Sequence, residues 1–327
     1  MVAPASALRS AAWSGYWSSG APHSLPGSIA ADGGPELQEL WRTVFEMLPA
    51  SARILDVGTG SGIVVRLALA TCPQRFTLDA VDLVEAAPPS FPRPPFAEGH
   101  AVRFHGGVAA EQLPFEAATF DLAASQFGIE YADPALAGTE LRRVLKPGGR
   151  IALLVHSIAS VAVIHAQAEQ PHADWLLGRE GLFERAAAVQ PYFARASSAE
   201  GRAALAGDAA AREARGRFNE SAGAADARAN VHGGAICGDA LALAMGALAL
   251  SREQPAAGAA ALDAARTQVT QAALRSAELV ACALDESGAA ALAHRVGVDR
   301  PEVVEARIAG QPFGFWVTGA RTASAGA

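Results

Sequence analysis

Apolar and polar positions alternate with two different periods along the first half of the chain. Between residues 35 and 48, Leu37, Leu40, Trp41, Val44, Phe45 and Leu48 recur at i, i+3, i+4, i+7, i+8 and i+11, which predicts a helix with one buried stripe. The period then shortens. Residues 53–57, 76–81, 101–105, 119–125 and 150–155 are short apolar-rich runs bounded by turn residues, and each is predicted as a strand. Helical patterns follow the first run, to about Thr71, and the fourth, from Pro134 to Leu145. Pro134 suits a first helical turn, and Lys146-Pro147-Gly148-Gly149 closes that helix. A proline-rich loop at 88–95 stands where another helix is expected. Strand and helix in alternation imply a parallel α/β sheet with helices on both faces.

The pattern changes after residue 157. From 158 to about 284 no strand-like run survives, alanine dominates, and helix formers fill the gaps. This reads as a helical insertion capping the sheet, broken near Pro171, Pro191, Gly233-Gly234 and Pro255, with residues 197–230 polar enough to be mobile. A short helix at 287–296 precedes two β-rich runs, 301–308 and 312–319, around Ala309-Gly310-Gln311. They predict a hairpin that completes the sheet. At the other end, residues 1–34 gather Trp13, Tyr16, Trp17, His23 and Ser24 among Gly, Pro and Ser, so only a turn of helix near 11–17 is expected. The expected organisation is an arm or flap (1–34), a Rossmann-like core (35–157), the helical insertion (158–284) and a closing segment (285–327). The fold class is α/β, a doubly wound, mostly parallel seven-stranded sheet.

Candidate chemistry concentrates where the first strand ends. Ile54-Leu55-Asp56-Val57-Gly58-Thr59-Gly60-Ser61-Gly62 runs from a buried strand into a turn with three glycines at alternate positions. Such a backbone bends sharply and lets a ligand lie against it. The dinucleotide fingerprint G-x-G-x-x-G is not met, because its third glycine falls on Ile63. Asp82 closes the second strand twenty residues beyond Gly62, where nucleoside-binding folds place a carboxylate for ribose hydroxyls.

Three further blocks share this register: Glu111-Gln112-Leu113-Pro114-Phe115, Phe120-Asp121, and Leu145-Lys146-Pro147-Gly148-Gly149. With Asp56-x-Gly58-x-Gly60-x-Gly62 and Asp82, they resemble the class I S-adenosylmethionine (AdoMet)-dependent methyltransferases over residues 50–157, with motif blocks similar to the ubiquinone/menaquinone-type branch. The resemblance implies AdoMet as cofactor and S-adenosylhomocysteine as product. It implies that Gly58, Thr59, Gly60 and Gly62 approach the amino-acid part of AdoMet, with Asp56 reaching its ammonium. Asp82 would hold the ribose, Leu83 would flank the adenine, Ala110 and Glu111 would line its edge, and Gln126 with Phe127 would border the methionine moiety. Ala109 replaces the family's adenine-contacting Asp. Trp17 and its aromatic neighbours offer faces that attract a sulfonium cation.

The composition narrows the partners. Of 327 residues, 51% are hydrophobic and 18% charged, enough apolar content for a packed core. The formal charge of −7, without a Lys/Arg cluster, argues against nucleic acid. Cys72, Cys237 and Cys282 are widely spaced and show no metal-ligand pattern, so reduced thiols and a cytoplasmic setting are expected. Residues 1–10 lack the order of a signal peptide, and no uncharged apolar run reaches membrane-spanning length.

The expected reaction is metal-independent methyl transfer to oxygen of a small or medium organic or peptide acceptor, such as a natural product. His156, at the end of the fifth strand, is placed to act as a base, with His23 and His165 as alternatives. Glu130 and Tyr131 lie at the same sheet end and can position an acceptor. The insertion is expected to shape the acceptor pocket and to support a homodimer. Two competing functions remain at this point: an NAD(P)-dependent oxidoreductase on a similar sheet, and a non-catalytic AdoMet- or partner-binding protein.

Overall fold

The computed structural model describes residues 5–20 and 34–322. Helix α1 (Ala5–Ser18) and helix α2 (Gly34–Phe45) precede strand β1 (Ala52–Val57). Helix α3 (Ile63–Thr71), β2 (Phe76–Val81), β3 (Ala101–His105) and β4 (Phe120–Gln126) follow, and a 3-10 turn at Ile129–Tyr131 leads to α4 (Pro134–Val144) and β5 (Leu145–Val155). Six helices come next: α5 (Val161–Leu177), α6 (Leu182–Arg195), α7 (Ala199–Ala206), α8 (Ala209–Ala229), α9 (Ala235–Ser251) and α10 (Pro255–Cys282). The chain returns through α11 (Glu286–Val296) to β6 (Glu302–Ile308) and β7 (Gln311–Ala320). It divides into two compact units, Met1–Val163 with Ala281–Ala327, and Ile164–Val280.

In the first unit the strands form one seven-stranded sheet of order β3-β2-β1-β4-β5-β7-β6. Neighbours among β1 to β5 are parallel, whereas β7 runs antiparallel to both β5 and β6. Successive residues of a strand point to opposite faces, and here both faces are covered. Ile54, Leu78, Leu122 and Leu154 pack with Leu37, Trp41, Val64 and Leu67 on one side. Leu55, Val81, Ala123 and Leu153 pack with Leu141, Val144, Leu292 and Val296 on the other. That double burial is why these strands read as continuous apolar runs. Chain order reverses between β1 and β4, and parallel sheets bind ligands at such a switch point, outside the carboxyl ends of the strands.

The structure departs from the sequence expectations at several elements. The aromatic segment is a helix of 14 residues rather than one turn, with Ala12 and Trp17 buried. Residues 146–149 do not separate α4 from a strand beginning at 150. Leu145 already pairs with Phe120 and Arg150 pairs with Leu122, so the four residues between them loop out of a continuous β5. The loop is tied down by hydrogen bonds from Gly148 N to Arg321 O and from Arg321 N to Gly149 O.

The second unit is a helical assembly around Leu176, Phe183, Val189, Phe218, Cys237, Leu248 and Leu262. Pro171 and Pro191 do not break helices; each lies inside one. Both are exposed, as are Gln167 and Ala187 four residues before them, so each proline stands on an open side of its helix. Residues 197–230, expected to be mobile, form α7 and α8. Ala211, Phe218, Ser221 and Ala225 give α8 a narrow buried stripe despite its polar composition.

Candidate functional site

The loops after β1 and β4 meet at the switch point. Gly58 has φ +66°, and a Cβ there would lie 2.8 Å from the Gly128 Cα. Reciprocally, a Cβ on Gly128 would lie 2.9 Å from the Gly58 Cα. Only glycine at both positions lets the two backbones touch. Ser125 holds this junction, its Oγ donating to Val57 O at 2.7 Å and accepting from Ile129 N at 3.0 Å. Phe127 is forced into left-handed backbone (φ +55°), which L side chains adopt rarely and at a cost of order 1–3 kcal/mol. Phe127 lines the cleft that opens at this junction.

That cleft is lined by Trp13, Trp17, Gly58, Thr59, Gly60, Asp82, Leu83, Ala110, Glu111, Gln126, Phe127 and Tyr131, with Val57, Ser61, Ile63, Val84, Val108, Gly128 and Ala132 between them. Asp82 braces the glycine turn. Its Oδ2 accepts from Gly60 N at 2.7 Å and its Oδ1 from Val84 N at 2.9 Å. Burial raises the Asp82 carboxyl above its ordinary value, and these backbone N–H groups partly offset the rise. Glu111 Oε1 accepts from Asp133 N at 2.8 Å, which ties the loop after β3 to the start of α4.

Helix α1 closes one side. A Cβ on Gly60 would lie 2.7 Å from the Trp17 ring, so the indole rests directly on the turn. Trp13 stacks on Trp17 at 6.0 Å and meets Tyr131 edge-on at 5.6 Å. The aromatic arm thus contributes two side chains to the cleft. Composition marked the segment, but only the helix shows that Trp13 joins Trp17 there.

Several residues expected in the site are buried next to the cleft and are not among those that line it. Asp56 is fully buried; its Oδ2 accepts from Thr59 Oγ1 at 2.6 Å and its Oδ1 has no hydrogen-bond partner among the described residues. Burial pushes its carboxyl up to about 7, with the Asp82 charge adding to the rise and the Thr59 hydrogen bond opposing it. Gly62 packs against Phe91 and Pro92 of the proline-rich loop. His156 and Glu130 form a buried pair. Glu130 Oε1 accepts from His156 Nδ1 at 2.8 Å and from the His156 backbone N–H at 2.9 Å. The His156 ring lies 4.1 Å from Phe127 and 6.0 Å from Tyr131, while Glu130 Oε2 is buried without a partner among the described residues. His165 belongs to the helical part of the chain, with its ring 6.0 Å from His232. His23 lies outside the described residues.

A methyltransferase domain model matches residues 55–153. Over 109 residues the chain is 34% identical to the ubiquinone/menaquinone biosynthesis C-methyltransferase UbiE of Geotalea daltonii, a span of 33% of this chain and 46% of that protein. The protein of the same name from Syntrophotalea carbinolica is 37% identical over 116 residues, again 34% of this chain and 46% of the relative. The chain therefore spans about half the length of the curated relatives it matches. Among solved structures, the YcgJ protein of Bacillus subtilis is 23% identical over 41% of this chain and 59% of its own, with a TM-score of 0.30. The motif residues, the sheet order and the matched domain agree: residues 55–153 resemble a class I, S-adenosylmethionine-dependent methyltransferase domain.

Proposed function

We propose that the chain transfers the methyl group of AdoMet to a small organic acceptor, with oxygen as the accepting atom and His156 as the proton acceptor. The observation that carries this reading is the cleft at the β1–β4 switch point, where a glycine cradle, a strand-end carboxylate and an aromatic wall converge.

The residues present fit the cofactor. The turn at Gly58–Gly60 offers backbone without side chains. Asp56 keeps one carboxylate oxygen buried and unpartnered beside that turn, a setting that a ligand ammonium satisfies. Among the residues lining the cleft, Asp82 would hold the ribose hydroxyls, Leu83, Val84, Val108 and Ala110 would bed the purine, and Glu111 would line its edge. Trp13 and Trp17 line the cleft, and their rings would attract a sulfonium cation. When bound, AdoMet supplies a methyl group on an already activated sulfonium. The work left to the protein is alignment, exclusion of water and proton handling.

Glu130 determines what His156 can do. An ionised carboxylate only accepts, so the facing Nδ1 carries a proton, and in the neutral form of the ring the lone pair lies on Nε2. That tautomer suits removal of a proton from an acceptor hydroxyl. Tyr131 and Phe127, which contact the His156 ring and line the cleft, are placed to bracket the acceptor.

The relatives' name, C-methyltransferase, supports carbon as the second reading of the accepting atom. A panel of hydroxylated aromatic and aliphatic compounds incubated with methyl-13C AdoMet separates the two, because O-methyl and C-methyl products differ widely in carbon chemical shift. His156→Ala is expected to lower kcat by ~10²-fold or more while leaving S-adenosylhomocysteine binding unchanged. Tight NAD(H) binding without AdoMet binding would overturn the proposal. AdoMet binding with no acceptor methylated across the panel would leave the binding-protein reading in its place.

A further inference from the structure

We infer that Trp41 is a positioning residue that turns Gln126 into a carboxylate reader, and that the carboxylate read is that of the methionyl part of AdoMet; the inference rests on the cofactor assignment above. Trp41 is fully buried in α2, stacked on Phe45 at 5.7 Å and edge-on to Trp316 at 4.9 Å. Its Nε1 lies 2.9 Å from the Oε1 of Gln126, at the carboxyl end of β4.

The chemistry of the pair removes an ambiguity. The oxygen and nitrogen of an amide have nearly the same shape, so only hydrogen-bond logic tells them apart. An indole N–H donates and cannot accept, hence the Gln126 atom facing it must be the carbonyl oxygen. The NH2 end is therefore turned away from Trp41. Gln126 lines the cleft, and no described residue accepts from its Nε2. A two-proton donor presented to a ligand space matches a group that only accepts.

Position then selects which group that is. The sheet order puts β2 and β3 on one side of β1 and β4 on the other. On the β2–β3 side stand Asp82 and Glu111, acceptors suited to hydroxyl and amino donors; on the β4 side stands Gln126, a donor. The cleft is thus chemically polarised. A nucleoside belongs at the acceptor end and a carboxylate at the donor end. Without the indole N–H, the amide is free to rotate and to present its carbonyl to the ligand, which repels a carboxylate.

Calorimetric binding of S-adenosylhomocysteine, compared with its analogue lacking the α-carboxylate, tests this without turnover. The unaltered protein is expected to prefer S-adenosylhomocysteine by about ten-fold or more, the range for a hydrogen bond to a charged group. Trp41→Phe and Gln126→Leu are each expected to reduce that preference to about two-fold or less. Gln126→Glu, which still accepts from Trp41, is expected to reverse it. The two Gln126 variants carry the test if Trp41→Phe fails to fold. Equal losses for both ligands, or a preference that survives the substitutions, overturn the role of the pair while leaving the cofactor assignment standing. Failure of the unaltered protein to bind S-adenosylhomocysteine overturns both.

Discussion

Two buried carboxylates set the pH response of the site. Asp56 sits in a pocket that raises its carboxyl to about 7, and Asp82 is raised in the same direction by burial. A raised carboxyl binds its proton more tightly in the folded than in the unfolded chain. Between the ordinary carboxylate value and about pH 7 the folded state therefore holds more protons, and stability falls as pH rises through that window. At its steepest the loss from one such group is about 1.4 kcal/mol per pH unit. Denaturant titrations of the ligand-free protein at pH 5 and pH 8 are expected to show the lower stability at pH 8, and Asp56→Asn is expected to flatten the difference. Cofactor affinity should move the other way, rising through pH 7 as Asp56 ionises to meet an ammonium. At Gly58 the expectation is steric. Alanine there meets the Gly128 backbone at 2.8 Å in a left-handed conformation, so Gly58→Ala is expected to cost roughly 1–3 kcal/mol and to weaken S-adenosylhomocysteine binding, read by thermal melting and calorimetry. The spacing of Asp56, Gly58, Gly60 and Asp82 was legible because strand and turn are local. The Trp41–Gln126 and Glu130–His156 pairs were not, since they join residues 85 and 26 positions apart.

Elements show how far local pattern carries. Helix α4 starts as its sequence requires: Asp133 accepts from Ala135 N and Leu136 N, and Pro134 takes the first helical position. Asp133→Ala is expected to cost about 1 kcal/mol in chemical denaturation. Helix α8 teaches the reverse. Its composition is polar and small, yet Phe218 and Ala225 insert into the core shared by α6, α8 and α9. Phe218→Ala is expected to destabilise the helical unit by roughly 3–5 kcal/mol, seen as an earlier loss of far-ultraviolet helical signal in denaturant. One aromatic per several turns is too sparse a stripe to stand out from composition. Pro171 and Pro191 misled for a related reason: a proline removes one helical hydrogen bond and crowds the preceding turn, which bends a helix without having to end it, and both stand at exposed positions.

For the whole molecule, the sheet order decides where chemistry can occur. It sets the glycine turn, Asp82, Gln126 and Phe127 around one point, and the antiparallel β7 seals the other side of β5. A ligand held there ties together segments far apart in sequence. S-adenosylhomocysteine at about a hundred times its Kd is expected to stabilise the chain by ~2.7 kcal/mol. Hydrogen exchange should slow together at residues 58–60, 82–84 and 126–128. The sequence by itself determined the alternation of strand and helix, the buried strands, the glycine turn with its two carboxylates and the closing hairpin, because each is written in neighbouring residues through period, capping or backbone freedom. Tertiary structure alone decided that Trp13 and Trp17 wall the cleft, that Glu130 serves His156, that Gly58 and Gly128 must both lack side chains, and that Trp41 orients Gln126. Those are relations between distant segments, and the packing that brings them together has no signature in either segment alone.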